Sequence, residues 1–220
     1  MNELHKYYWD NGYLVIPNLF TEAQIDTFYW EFTKCANTDW TNILNPHKLE
    51  FLVAQNPYPL TRGDLTMVDK IGYINDCKRA ARLANFIFHS TKIITYLENL
   101  YDSEMEGLST HLIWKHPHTK AALQSWEPHQ DNSYAQNPNG KLVTINLFLN
   151  PSNPIRGGLY NYPGSHTEGL LPVDCDNSYI NNNKPGKRCE VPEKYYKNDL
   201  STSKGDLYIQ HGNLIHGSYG

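Results

Sequence analysis

The chain has 220 residues and a net charge of −4, with hydrophobic residues at 40% of positions and charged residues at 19%. That balance excludes the low-hydrophobicity, high-charge mixture of a disordered chain, and the length is enough to bury a core without disulfides or a structural metal. The mild acidity argues against a nucleic-acid binder, which needs a basic face to displace counterions, and no stretch approaches the ~20 apolar residues of a membrane span.

The four cysteines, Cys35, Cys77, Cys175 and Cys189, are scattered and form no CxxC pair. The N-terminus MNELHKYYWDNGYLVIP lacks a basic stretch followed by an apolar core, so no secretory signal is read there. Free thiols and a cytoplasmic location are the expectation. The 16 tyrosines and 5 tryptophans favour strands and pocket walls.

In chain order, the first third reads as helical with one interruption. Tyr13-Leu14-Val15-Ile16 is β-prone and is stopped by Pro17. Thr21 to Gln24 has the capping-box pattern, and Ile25, Phe28, Tyr29 and Phe32 then follow at helical spacing. A second helix is expected over Arg79 to Tyr101, with a break near His89-Ser90. From Leu108 the pattern changes to short strands: Leu108 to Trp114, Lys141 to Leu149, Gly158 to Tyr162 and Asp206 to Ile215. Asn- and Pro-rich turns separate them, and Asn181 to Lys197 reads as a polar surface insertion. Helices followed by many short strands point to helices packed on a β-sandwich or barrel. One domain over 1–220 is expected, with a helical part over about 1–107 and a β core over about 108–220.

Three segments carry candidate chemistry. In His129-Gln130-Asp131, a strand would put residues i and i+2 on one face, where an imidazole and a carboxylate can share a divalent metal. The run from Gly205-Asp206 to His216-Gly217-Ser218 opens a strand and ends in a histidine among small residues. His216 is the candidate third ligand, because two histidines and one carboxylate leave open positions on a non-haem iron. His211 is read as a structural histidine at a strand end. His166, in Pro163-Gly164-Ser165-His166, is read as a turn histidine or a hydrogen-bond donor behind the ligands.

These motifs, in this order, resemble those of the phytanoyl-CoA dioxygenase family of Fe(II)- and 2-oxoglutarate-dependent oxygenases. The similar segments are Asn11 to Pro17, Ile113-Trp114-Lys115, Pro128 to Asp131, Gly158 to His166 and Gly205 to Ser218. The resemblance implies a mostly β fold, a double-stranded β-helix (a cupin-like jelly roll) with helices packed on one sheet. It implies His129, Asp131 and His216 as iron ligands and catalytic residues, and Lys115, Asn146 and Ser218 near the co-substrate. On the strand pattern, Thr144 and Asn146 share one face and Val143, Ile145, Leu147 and Leu149 the other. The family's arginine for the far carboxylate of 2-oxoglutarate would follow His216, four residues before the sequence ends at Gly220. The expectation is a piece lacking the last strand, with Lys141 as the competing cation.

The resemblance implies hydroxylation of a small organic substrate, using Fe(II), 2-oxoglutarate and O2 and releasing succinate and CO2. Retention of Asp131 favours hydroxylation over halogenation, since halogenases of this superfamily replace that carboxylate with a small residue. No nucleic-acid or membrane partner is expected, and the oligomeric state is left open. Two alternatives stand beside this: a cupin-type metal enzyme without 2-oxoglutarate, which would bring His211 or His166 to the metal, and a jelly-roll binding protein without catalysis.

Overall fold

The computed structural model describes residues 3–36, 62–66, 86–107, 111–115, 125–173 and 187–220, with the stretches 31–36, 62–66 and 111–115 described by backbone alone. In chain order its elements are α1 (Glu3–Asn11), β1 (Tyr13–Ile16), α2 (Glu22–Ala36), β2 (Arg62–Thr66), α3 (Thr91–Tyr101), β3 (His111–Lys115) and β4 (Trp126–His129). They continue as α4 (Asn132–Ala135), β5 (Val143–Leu147), β6 (Leu159–Asn161), β7 (Asn198–Asp199), β8 (Leu207–His211) and β9 (His216–Ser218). The chain divides into two compact units, one of Met1–Glu22 with Leu123–Gly220 and one of Ala23–Ala122.

The first unit is the jelly roll. One of its sheets has the order β1-β8-β5 and the other β4-β9-β6-β7, with antiparallel pairing throughout. The first sheet sorts its side chains by cross-strand rows. Leu14, Ile209 and Ile145 form one apolar row, and Ile16, Leu207 and Leu147 form another. The rows between them, Tyr13–Gln210–Thr144 and Val15–Tyr208–Asn146, point to the opposite face because successive strand residues alternate. That face looks at the second sheet: Asn161 on β6 donates from Nδ2 to the Tyr208 hydroxyl at 3.0 Å, and Asn198 donates to the Asn161 amide oxygen at 3.1 Å. The space between the sheets is therefore polar at its centre, and these buried groups are bonded to each other.

The strand at Tyr13–Ile16 is edge strand β1 of this sheet, although it lies among helices in the sequence. Gly12 makes the turn into it. Its φ of +78° suits glycine, and a Cβ there would sit 2.5 Å from His166 Nδ1. At the other end of β1, Asp206 ties two turns together, accepting from Asn18 N and Ser203 N at 2.8 Å each. The Gly-Asp pair that opens β8 thus works as a turn clasp.

In the second unit, α2 buries Ile25 and Phe28, and the Phe28 ring lies 4.9 Å from that of Phe86. The chain breaks at His89-Ser90 and re-enters α3, which buries Ile93, Leu97 and Leu100 at i, i+4, i+7. The portion of the expected helix before Phe86 lies outside the described residues. The strand read at Leu108 to Trp114 is β3. It pairs with β2, register Arg62↔Lys115 to Thr66↔His111, inside the stretch read as helical. Arg62-Gly63-Asp64-Leu65-Thr66 has few residues of high β-propensity, so its pairing is set by its partner.

Candidate metal centre

His129 is the last residue of β4 and pairs with His216, the first residue of β9, across the second sheet. Their rings lie 4.3 Å apart, centroid to centroid. Asp131 reaches the same point by a different route from the one its spacing suggests. It stands beyond the strand with helical backbone angles (φ −61°, ψ −33°), opening the short helix α4. The bend out of β4 brings the carboxylate beside the imidazoles, so the strand alternation expected for His129 and Asp131 is corrected here. The single turn of α4 is supported by Asn132 Nδ2 donating to Asn137 O and Asn213 Oδ1.

The three candidate ligand atoms lie within 4.8 Å of one another. Asp131 Oδ1 is 3.6 Å from His129 Nε2 and 3.5 Å from His216 Nε2. Metal bonds of about 2 Å at right angles would separate ligand atoms by about 3 Å, so the carboxylate–imidazole pairs need draw in only slightly to hold a divalent ion, while the widest separation must close by up to about 2 Å. The ring orientations suit it. His129 Nδ1 donates to Glu127 O at 2.8 Å and His216 Nδ1 to Leu214 O at 3.0 Å, which assigns each proton to Nδ1 and turns the Nε2 lone pair inward. Asp131 Oδ2 accepts from Thr144 Oγ1 at 2.6 Å and Gln210 Nε2 at 2.9 Å, so Oδ1 is the oxygen left facing the imidazoles.

Burial would raise the Asp131 pKa, but His216, His129 and the Thr144 hydroxyl outweigh it and hold the carboxyl well below the usual range. Burial pushes His216 down to about 4, with Asp131 opposing. An anionic carboxylate and a neutral imidazole are the forms that ligate a metal.

Loops from both sides clamp the turn that carries His216. Gln130 donates to Gly169 O and Asn213 O and accepts from Leu171 N. Ile215 N donates to Ser165 Oγ at 2.9 Å, and Tyr162 N donates to Ile215 O. These clamps were not read from the sequence as parts of the site. Neither was Gln210, although Tyr208 and Gln210 break the apolar run of β8 at a period of two.

The other residues singled out in the sequence fall in five places. Ser218 lies on β9 on the same side as His216, buried, with its Oγ unpaired among the described residues. Asn146 lies on the inner face with Thr144. Lys141 is exposed, two residues before β5. Lys115 ends β3 in the second unit. His211 and His166 form a separate pair with ring centroids 5.2 Å apart. His211 Nδ1 accepts from Asn213 N, and His166 Nε2 lies 3.0 Å from Trp9 O.

A family model described as "Phytanoyl-CoA dioxygenase (PhyH)" matches residues 8–220. The chain belongs to this family. Among its curated relatives, the human protein named "Phytanoyl-CoA dioxygenase, peroxisomal" is 26% identical over 218 residues, which is 98% of this chain and 62% of the relative. The chain thus spans about three fifths of that relative's length. Solved structures share the fold. The nogalamycin epimerase SnoN in complex with Fe3+ and alpha ketoglutarate superposes with a TM-score of 0.66 at 15% identity, covering 99% of this chain and 76% of SnoN. EctD from S. alaskensis, with 2-oxoglutarate and 5-hydroxyectoine, gives 0.63 at 14% identity, covering 100% of this chain and 70% of EctD.

Proposed function

We propose that this chain is an Fe(II)- and 2-oxoglutarate-dependent dioxygenase that hydroxylates a C–H bond of a small organic substrate. The observation that carries the reading is the meeting of His129 Nε2, His216 Nε2 and Asp131 Oδ1, with both imidazole Nδ1 protons held by backbone carbonyls. His129, His216 and Asp131 would hold the iron from one side, which leaves adjacent positions for co-substrate and O2. The bound iron, with O2 and 2-oxoglutarate, supplies the oxidation, which ends in succinate, CO2 and the hydroxylated product.

The protein's own residues bind, orient and exclude water. Ser218 and Asn146 are assigned to the co-substrate: Ser218 shares a side of its strand with His216, and Asn146 shares the inner face with Thr144. Lys115 is assigned by resemblance alone, and Lys141 remains the competing cation for the far carboxylate. Trp126, whose ring lies 5.8 Å from that of His129, and Tyr134, at 6.3 Å from it, screen that ligand. The separate pairing of His211 with His166 argues against a histidine-rich cupin site. SnoN, named an epimerase, has this fold, so the fold alone does not select hydroxylation; the retained Asp131 favours it over halogenation only.

The test is an anaerobic titration with Fe(II) and then 2-oxoglutarate, watching the weak visible charge-transfer band of the chelated co-substrate. The band should appear in the wild type and be absent in Asp131→Ala. Iron binding without the band would remove 2-oxoglutarate from the reading, and absence of iron binding would remove the metal. Succinate release that falls in Lys141→Ala would assign the carboxylate clamp to Lys141.

A further inference from the structure

Gln210 is 1% exposed and projects from β8 into the polar centre of the jelly roll, between Tyr13 and Thr144 on the neighbouring strands. Its amide nitrogen touches two of the three candidate ligands. It donates to Asp131 Oδ2 at 2.9 Å, and it lies 3.0 Å from Nε2 and 3.4 Å from Nδ1 of His216. A point in the imidazole plane at those two distances would collide with the carbon between the nitrogens. The amide therefore sits over the ring, and the Nε2 lone pair stays open. The flipped amide would set oxygen against the Asp131 carboxylate, acceptor against acceptor, so Asp131 decides which end faces it.

The other end of the amide, Oε1, is buried and has no hydrogen-bond partner among the described residues. An unpaired buried acceptor costs stability, and an apolar side chain of the same length would avoid that cost. The fold alone gives no reason for a glutamine here; the contacts with Asp131 and His216 do.

We propose that Gln210 is a positioning residue of the metal centre: with Thr144 it occupies Asp131 Oδ2, so that Asp131 binds metal through Oδ1 alone, and its amide braces the His216 ring. This inference rests on the metal reading above. A carboxylate limited to one bond leaves three coordination positions open, whereas two-oxygen binding would close one of them.

The test uses chelator-treated full chain with Co(II) as the probe. Dissociation constants come from competition with a chromophoric chelator, and carboxylate binding mode from infrared bands of protein labelled with 13C-aspartate. The wild type should bind Co(II) with the one-oxygen signature. Gln210→Met, similar in length but without a donor, should weaken binding about tenfold and move the bands toward two-oxygen binding. Thr144→Val should act in the same direction, and the double variant should lose about 100-fold. Unchanged affinity and bands in Gln210→Met overturn this inference alone. A wild type that binds no Co(II) overturns the metal reading and this inference with it. If Gln210→Met does not fold, the wild-type bands decide: one-oxygen binding supports the assignment, and two-oxygen binding overturns it.

Discussion

At Asp131, burial and neighbouring groups pull in opposite directions, and the neighbours win. Thr144 and Gln210 stabilise one oxygen of the anion, while the two imidazoles face the other. Removing the only anionic candidate ligand should weaken Fe(II) or Co(II) binding by at least about 100-fold in Asp131→Ala. His166→Ala should leave metal affinity within about threefold, a change small beside the 10–100-fold cost of disturbing groups that support ligands. Parallel titrations of the two variants check this, and comparable losses in both would contradict the separate roles. The three residues that meet here were named as candidate ligands from the sequence, where the HxD spacing and a distal histidine among small residues suggested them and the family resemblance joined them. The carboxylate's partners were not, since Thr144 and Gln210 meet Asp131 only through strand register.

Among the elements, β9 is tightly constrained. It is three residues long, every residue is buried, and it pairs with β4 on one side and β6 on the other. Gly217 lies under the hydrogen bond from the Tyr160 hydroxyl to Trp126 O, and a Cβ there would stand 2.5 Å from that carbonyl oxygen. Backbone cannot yield as a side-chain tip can. Gly217→Ala should therefore cost about 2–4 kcal/mol, beyond the usual overpacking penalty, by denaturant unfolding of the metal-free protein. It should also weaken metal binding, because His216 and its pairing with His129 share the displaced segment. A milder change is expected in Ser165→Ala, which leaves Ile215 N without its acceptor at a cost of about 1–2 kcal/mol. One strand was expected over Asp206 to Ile215; β8 stops at His211, and β9 begins just beyond that span at His216. A turn fills the interval, closed by Leu214 N donating to His211 O and by the loops around Gln130 and Ser165.

Taken as a whole molecule, the jelly roll carries buried neutral histidines whose protonation opposes folding. Burial pushes His211 and His216 down to about 4, and it lowers His166 as well. Between pH 6.5 and 4 the unfolded chain binds protons that the folded chain does not, so stability rises with pH in that window and is lost on acidification. His211 and His216, whose folded pKa values lie furthest below the ordinary imidazole range, should carry most of the loss on the way to pH 4. The depressed carboxyl of Asp131 works lower, below its ordinary range, where protonation removes its stabilising contribution. Denaturation of the metal-free protein at pH 7, 6 and 5 should show falling midpoints. His211→Asn should flatten the profile, and a flat wild-type profile would refute the assignment. A bound divalent metal should raise stability by about 2.7 kcal/mol at 100 times its dissociation constant, with the gain shrinking as protons compete for the imidazoles.

Local pattern alone was enough for the β-rich class, the break at His89-Ser90 and the strand at Tyr13–Ile16. Each of these depends on periodicity or turn chemistry carried within a few residues, whereas the three candidate ligands were named together through the family resemblance. Tertiary structure decided what depends on partners far apart in the chain. It placed β1 beside β8, paired β3 with β2, bent Asp131 out of its strand, and set Gln210 against a carboxylate 79 residues earlier. The physical reason is that strand register and loop closure are chosen by which faces can be buried together, and no single segment contains that choice.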